Sequence, residues 1–260
     1  MSELSQISNL AQAFINYLDC PCEYFASMKD EGPLVKAYDE ACIEGKTKGF
    51  IPVLVVVDET LWECLILNSD PESDGSREYA FNKEAVLAYR SAMLKESLPD
   101  PKEVLANLIT ICKEDAAEDE FDWDEEIIGS IDKGYENDSF NSLMHYSGNH
   151  THEVILAKIP VKHSYEIFAY LPFGNWNECP DTNVLMSLSK YWYEQHGAQV
   201  AALSHDELEF KVKQPLDADH ALKTAVELYG FCPDCDQNFD CVGQLADTLT
   251  KSTFWYLWWD

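Results

Sequence analysis

Thr253-Phe254-Trp255-Tyr256-Leu257-Trp258-Trp259-Asp260 is almost wholly aromatic. Alternate side chains of a strand point to opposite faces, so Phe254, Tyr256 and Trp258 would line one face and Trp255, Leu257 and Trp259 the other. Apolar residues on both faces call for cover on both, and this strand is therefore expected in the centre of its sheet. Its partners are sought upstream. Residues 153–161 read as a strand with Pro160 near the end, where a missing donor costs least. Residues 198–203 and 207–212 read as two short strands joined at Ser204-His205-Asp206. Helices are expected at 164–170, from Pro180 to a stop at Gly197, at 217–229 and at 242–251. Strand, helix, strand, strand, helix, helix, strand predicts an α+β fold. The sheet is mixed, and the C-terminal part is a ferredoxin-like split βαβ arrangement with the aromatic strand inside.

Upstream, Leu4, Ile7, Leu10, Ala11, Phe14 and Leu18 recur at helical spacing, with Ser2 as a cap, and predict a packing helix over 2–18. Residues 23–26 suit an edge strand, and Pro33 opens a helix to about Gly45. The β-branched run 49–58 predicts a buried strand, and Asp58 or Thr60 caps a short helix after it. Residues 68–77 read as a polar loop, and residues 83–98 and 102–113 as helices divided at Leu98-Pro99-Asp100-Pro101. Residues 114–126 hold nine acids in thirteen positions. Such a run repels itself and reads as a solvated connector, although Phe121 and Trp123 suit fastening it to the body or engaging a basic groove. The expected organisation is an N-terminal α/β region (1–113), an acidic linker or insert (114–151) and a C-terminal α+β domain (152–260).

Eighteen Lys and Arg against 47 Asp and Glu give a net charge of −29 over 260 residues. Direct nucleic-acid binding is excluded on that balance, because phosphates are neutralised by Lys and Arg; a basic protein partner fits it. No window is apolar enough to span a membrane, and the N-terminus lacks the basic flank and apolar stretch of a signal peptide. Nine cysteines without an export signal point to a reduced, cytoplasmic setting.

The candidate chemistry is sparse. Cys179, expected at a helix start after the turn Gly174-Asn175-Trp176-Asn177-Glu178, would gain a lowered thiol pKa from the helix dipole. His196 or His205 would be its base and Asn175 or Asn177 an orienting group. Against this, the turn suits a structural role, with Trp176 in the core. Glu207 and Glu209 share a strand face and suit either acid–base work or the polar side of a hairpin whose Leu208 and Phe210 turn inward. Cys232-Pro233-Asp234-Cys235, with Cys241 and the distant Cys20-Pro21-Cys22, invites a zinc or thiol-redox reading. A single CxxC must recruit distant partners to reach four zinc ligands, and this one closes a helix into a loop where a redox CxxC opens one after a strand, so a structural role fits better. The His145, His150, His152, Glu153 cluster suits a surface loop better than a metal. No metal and no cofactor is expected.

Leu171-Pro172-Phe173-Gly174-Asn175-Trp176-Asn177-Glu178-Cys179-Pro180, the stretch 191–198, Asp206-Glu207-Leu208-Glu209, Tyr229-Gly230-Phe231-Cys232-Pro233-Asp234 and Phe254 to Asp260 resemble, in order, the motifs of the bacterial domain of unknown function 4253. Residues 37–41 and 49–56 resemble the segment that precedes that domain, extending the likeness over most of the chain. The resemblance implies no activity for any residue. The expected function is a non-enzymatic interaction protein that binds a basic partner, with an immunity or antitoxin-like role as one instance. The alternative is a small-molecule hydrolase or transferase working at residues 175–179. Phe121, Trp123, Asn175, Trp176 and Asn177 are the expected binding residues.

Overall fold

The computed structural model describes residues 7–73 and 78–260. Helix α1 (Asn9–Leu18) starts where the Ser8 hydroxyl accepts from Ala11 N, and it ends at Asp19 in the left-handed conformation. The expected Ser2 cap and Leu4 lie outside the described residues, as do Asp74 and Gly75 of the polar loop. Strand β1 (Cys22–Phe25), helix α2 (Gly32–Lys48) and strand β2 (Ile51–Val56) follow. Helix α3 (Glu59–Ser69) is capped by Asp58, α4 (Lys83–Met93) by Asn82, and α5 (Pro101–Glu118) by Asp100 with proline in its first turn. Each cap supplies an oxygen to an otherwise orphaned N–H. One π-helical turn (Trp123–Ile128), strand β3 (Val154–Ile159) and a 3-10 turn (Ser164–Ala169) come next. The chain ends with α6 (Thr182–His196), β4 (Gln199–Leu203), β5 (Glu207–Lys211), α7 (Ala218–Phe231), a second 3-10 turn (Pro233–Asn238), α8 (Val242–Leu249) and β6 (Phe254–Trp258).

The strands order as β1-β3-β2-β4-β5-β6. β3 is antiparallel to β1 and to β2, whereas β2 and β4 are parallel, with Leu54 opposite Ala202. The fold is thus α+β with a mixed sheet, but the position expected for the aromatic strand is corrected. β6 is the last strand, not a central one, so the split arrangement with the final strand inside does not hold. Side chains on both faces demand cover above and below a strand; they say nothing about its edges, which are backbone. The free edge is met locally instead, where Thr253 N and Phe254 N both donate to Asn137 O.

Contacts divide the chain into two units, each built from three stretches. The first is Met1–Glu96, Asn141–Gly174 and Val200–Leu208. Its core is Val53 to Val56 and Val154 to Ala157, with Phe14, Tyr17 and Trp62 meeting edge to face. The second is Ser97–Phe140, Asn175–Gln199 and Glu209–Asp260, with a core of Trp192, Phe231, Trp255 and Trp259. Residues 114–140 of the acidic stretch belong to the second unit and 141–151 to the first.

Candidate functional site

β2 and β4 run parallel, so their carboxyl ends meet at one end of the first unit's strands, where ligands commonly bind in sheets of this kind. Asp58 leaves β2 there. Its Oδ1 accepts from Leu61 N at 2.7 Å as the α3 cap, and its Oδ2 lies 3.4 Å from His205 Nδ1. His205 Nε2 is 3.4 Å from Asp206 Oδ2, and the Ser204 hydroxyl donates to Asp206 Oδ1 at 2.7 Å. β3 begins at this same end, and His152, just ahead of it, stacks at 3.7 Å on His145, the two rings tilted by 43°. The two half-buried histidines have pKa values shifted in opposite directions. The hydrogen bond to Asp58, aided by the charges of Asp58, Asp206 and Glu207, raises His205 above its ordinary value. Burial, then the nearby His145, pushes His152 below it. His205 therefore keeps its proton to higher pH than His152 does. Among the described residues no three His, Cys, Asp or Glu side chains are disposed to hold a metal ion.

Because the folded pKa of His205 lies above the ordinary 6.5, its contribution to stability is complete below that value and disappears as pH rises through the raised one. His205→Gln is expected to be less stable than the wild type by about 0.5–1 kcal/mol in acid, the pair being partly solvated. The gap should close in alkaline buffer. Urea midpoints across this range test it, and a gap that widens with pH would contradict the Asp58 pairing.

Glu207 is half-buried, but Glu209 is fully buried between Leu208 and Phe210. The hairpin's expected polar face is corrected accordingly, because the middle of β5 is covered on both sides.

The turn before α6 is held by its own backbone. Asn175 N donates to the carbonyls of Cys179 (3.1 Å) and Pro180 (3.0 Å), and Cys179 N donates to Trp176 O (2.9 Å). Asn175 and Asn177 take positive φ of 69° and 41°, a region asparagine tolerates better than most residues. The Asn177 amide donates to Asp260 O at 2.8 Å. Cys179 is buried and lies two residues ahead of the cap, Asp181, so the helix begins later than expected. A groove of about 530 Å³ runs beside it, lined by Asn107, Asn177 and Glu178. The histidines expected as bases are engaged elsewhere: His205 as above, and His196 Nε2 at 3.1 Å from the Thr224 hydroxyl. Cys179 should accordingly be alkylated more slowly than the half-buried Cys42, Cys64 and Cys241 in the native protein. Isotope-coded labelling with mass spectrometry checks this, and a faster Cys179 would favour the enzyme. Cys232 and Cys235 are also buried, and the Cys232 thiol donates to Trp258 O at 3.0 Å.

The acidic run is folded. α5 carries it to Glu118, and the Asp122 side chain accepts from Asp124 N and Glu125 N to start the π-helical turn. Trp123 packs on Tyr229 at 6.2 Å, with the Lys113 ammonium 5.1 Å from its ring centre. One aromatic thus fastens the segment, overcoming the repulsion that predicts a mobile connector. All nine acids stay exposed, and Phe121 stands among them at 51% exposure. A second acidic surface lies on the first unit, where Glu59, Glu63 and Glu78 line a groove of about 470 Å³ together with Trp62 and Leu67.

Compared with known proteins, residues 155–260 match the family model described as Domain of unknown function (DUF4253). The match covers the motifs from Leu171 to Asp260 and begins downstream of residues 37–41 and 49–56. No curated protein and no solved structure is significantly similar. No helix among the described residues is long and apolar enough to cross a membrane.

Proposed function

We propose that this chain, whose residues 155–260 carry the DUF4253 domain, is a non-enzymatic interaction protein of the bacterial cytoplasm. Its acidic surface binds a basic protein partner, as an immunity or antitoxin-like protein does. The observation that carries the reading is the ridge at residues 114–126. Nine exposed carboxylates surround one exposed aromatic, Phe121, on a segment fastened by Trp123. Interfaces favour an aromatic anchor with charges around it, and the charges accelerate encounter with an oppositely charged partner.

The test is capture from bacterial lysate at low and high salt. One stoichiometric basic protein, released by salt, is the expected result. Exchanging Glu114, Glu118, Asp122 and Asp124 for lysine should weaken capture by roughly 10–1,000-fold at low salt. Undiminished capture by that variant would remove the ridge from the interface. A second reading, a small-molecule hydrolase or transferase at residues 175–179, draws on the groove beside Cys179 and stands or falls with the alkylation rates above.

A further inference from the structure

Cys20-Pro21-Cys22 joins the end of α1 to β1. The chain bends at Cys20 and enters β1 at Cys22, and Pro21 restricts the rotation between them. The consequence is two sulfurs 4.0 Å apart, both half-buried. The segment is fastened to β3, because Lys158 N donates to Pro21 O at 2.9 Å and Cys22 sits opposite Ala157. Cys20 opens onto a groove of about 640 Å³ with Asn16, Phe81 and the Asp19–Lys83 ion pair (2.8 Å). Beneath it the buried Arg90 guanidinium donates to Tyr17 O and Leu18 O.

The two thiols differ. The contact between the two sulfurs, in which either can donate, and then the Arg90 charge hold Cys20 below the ordinary thiol range, while that same contact and burial push Cys22 up. Burial alone acts the other way on Cys20 and is outweighed. Cys20, the one of the pair that lines the groove, is the accessible nucleophile and Cys22 the resolving thiol, the two roles that thiol–disulfide exchange requires.

We propose that Cys20 and Cys22 form a redox-active dithiol that exchanges with small oxidised thiols and closes reversibly into an intramolecular disulfide. The Cys20 thiolate attacks one sulfur of R–S–S–R, forming the Cys20–S–S–R bond and releasing RS⁻. Cys22 loses its proton to solvent and attacks Cys20 Sγ, forming the Cys20–Cys22 bond and expelling the second RS⁻. Two protein thiols are oxidised with loss of two electrons and two protons, and one small disulfide is reduced to two thiols. The sulfurs approach from 4.0 Å to about 2.05 Å. The small ring so formed is strained, and strained disulfides are the readily reduced ones. Such a bond suits a reducing compartment, where protein disulfides are transient.

The experiment uses the full-length reduced protein, oxidised glutathione as the probe, and alkylation with peptide mapping as the readout. Cys20 should be alkylated at least tenfold faster than Cys42 and Cys64. Oxidation should remove Cys20 and Cys22 together from alkylation, and dithiothreitol should restore both. Cys22→Ser should trap glutathione on Cys20, whereas Cys20→Ser should leave Cys22 largely unmodified. Circular dichroism confirms that both variants are folded. Glutathione spread evenly over the five half-buried cysteines, a trapped adduct on Cys22 instead of Cys20, or a Cys20–Cys22 bond formed only in urea would each overturn the proposal.

Discussion

Arg90→Met is expected to destabilise the protein by about 2–4 kcal/mol, as a lowered urea midpoint, although methionine fills much of the same space. Arg90 is 4% exposed, and its charge is met from two directions. Its NH2 and NH1 nitrogens donate to Tyr17 O (2.6 Å) and Leu18 O (3.2 Å), carbonyls of the last turn of α1 that lack helical partners. Its guanidinium carbon lies 4.9 Å from the centre of the Tyr17 ring and 4.4 Å from that of Tyr170, contacts that strengthen when desolvated. Methionine would strand two buried acceptors at the negative end of a helix and forfeit both ring contacts. The energy recovered by no longer burying a cation offsets part of this. Arg90→Lys keeps the charge but loses the planar fork, and it should fall between the wild type and Arg90→Met. If Arg90→Met unfolds within about 0.5 kcal/mol of the wild type, the tie between α4 and the end of α1 contributes little.

Nothing in the sequence around Arg90 announces that role. The residue falls in a helix of unremarkable pattern, and its partners lie more than seventy positions away. What was legible followed from local chemistry. The run Val53 to Val56 is β-branched or apolar at every position and is buried at every position. Asp58, the Asp100-Pro101 pair and Gly197 mark helix ends because capping is decided within a few residues. Long-range pairing was not legible. β2 lies between β3 and β4 although about a hundred residues separate it from the nearer in sequence, and β6 takes the edge because its backbone is served by Asn137, a residue in a stretch that reads as loop. The same limit hid the strand-end cluster. Asp58 reads as a helix cap and His205 as a turn residue, and the parallel pairing of β2 with β4 brings them together across 147 positions. In the acidic run, charge repulsion was visible but the hold of Trp123 on Tyr229 was not, since it depends on where α7 passes.

The aromatic C-terminus carries the second large effect. Trp259→Ala should cost about 3–5 kcal/mol, the range for emptying a buried tryptophan site. Trp259 is fully buried and meets Phe231 edge to face at 5.4 Å; Phe231 in turn meets Trp192 at 5.1 Å, and Trp192 meets Phe210 at 5.8 Å. Removing the indole opens a void at one end of this chain of rings, and Phe231 loses its edge contact with it. The β6 backbone is held at the other end by Val212 N, which donates to Thr253 O, so the void cannot be closed by sliding the strand. Tyr256→Ala, at a half-buried position of the same strand, should cost about 1 kcal/mol and serves as the comparison. Trp259→Phe, which keeps an aromatic edge against Phe231, should fall between the two. Urea titrations of the three variants decide the point. Equal losses at 256 and 259 would mean that the stretch contributes through strand pairing alone, whereas a loss concentrated at Trp259 assigns it to the ring-packed core that the alternation of residues 254–259 anticipates.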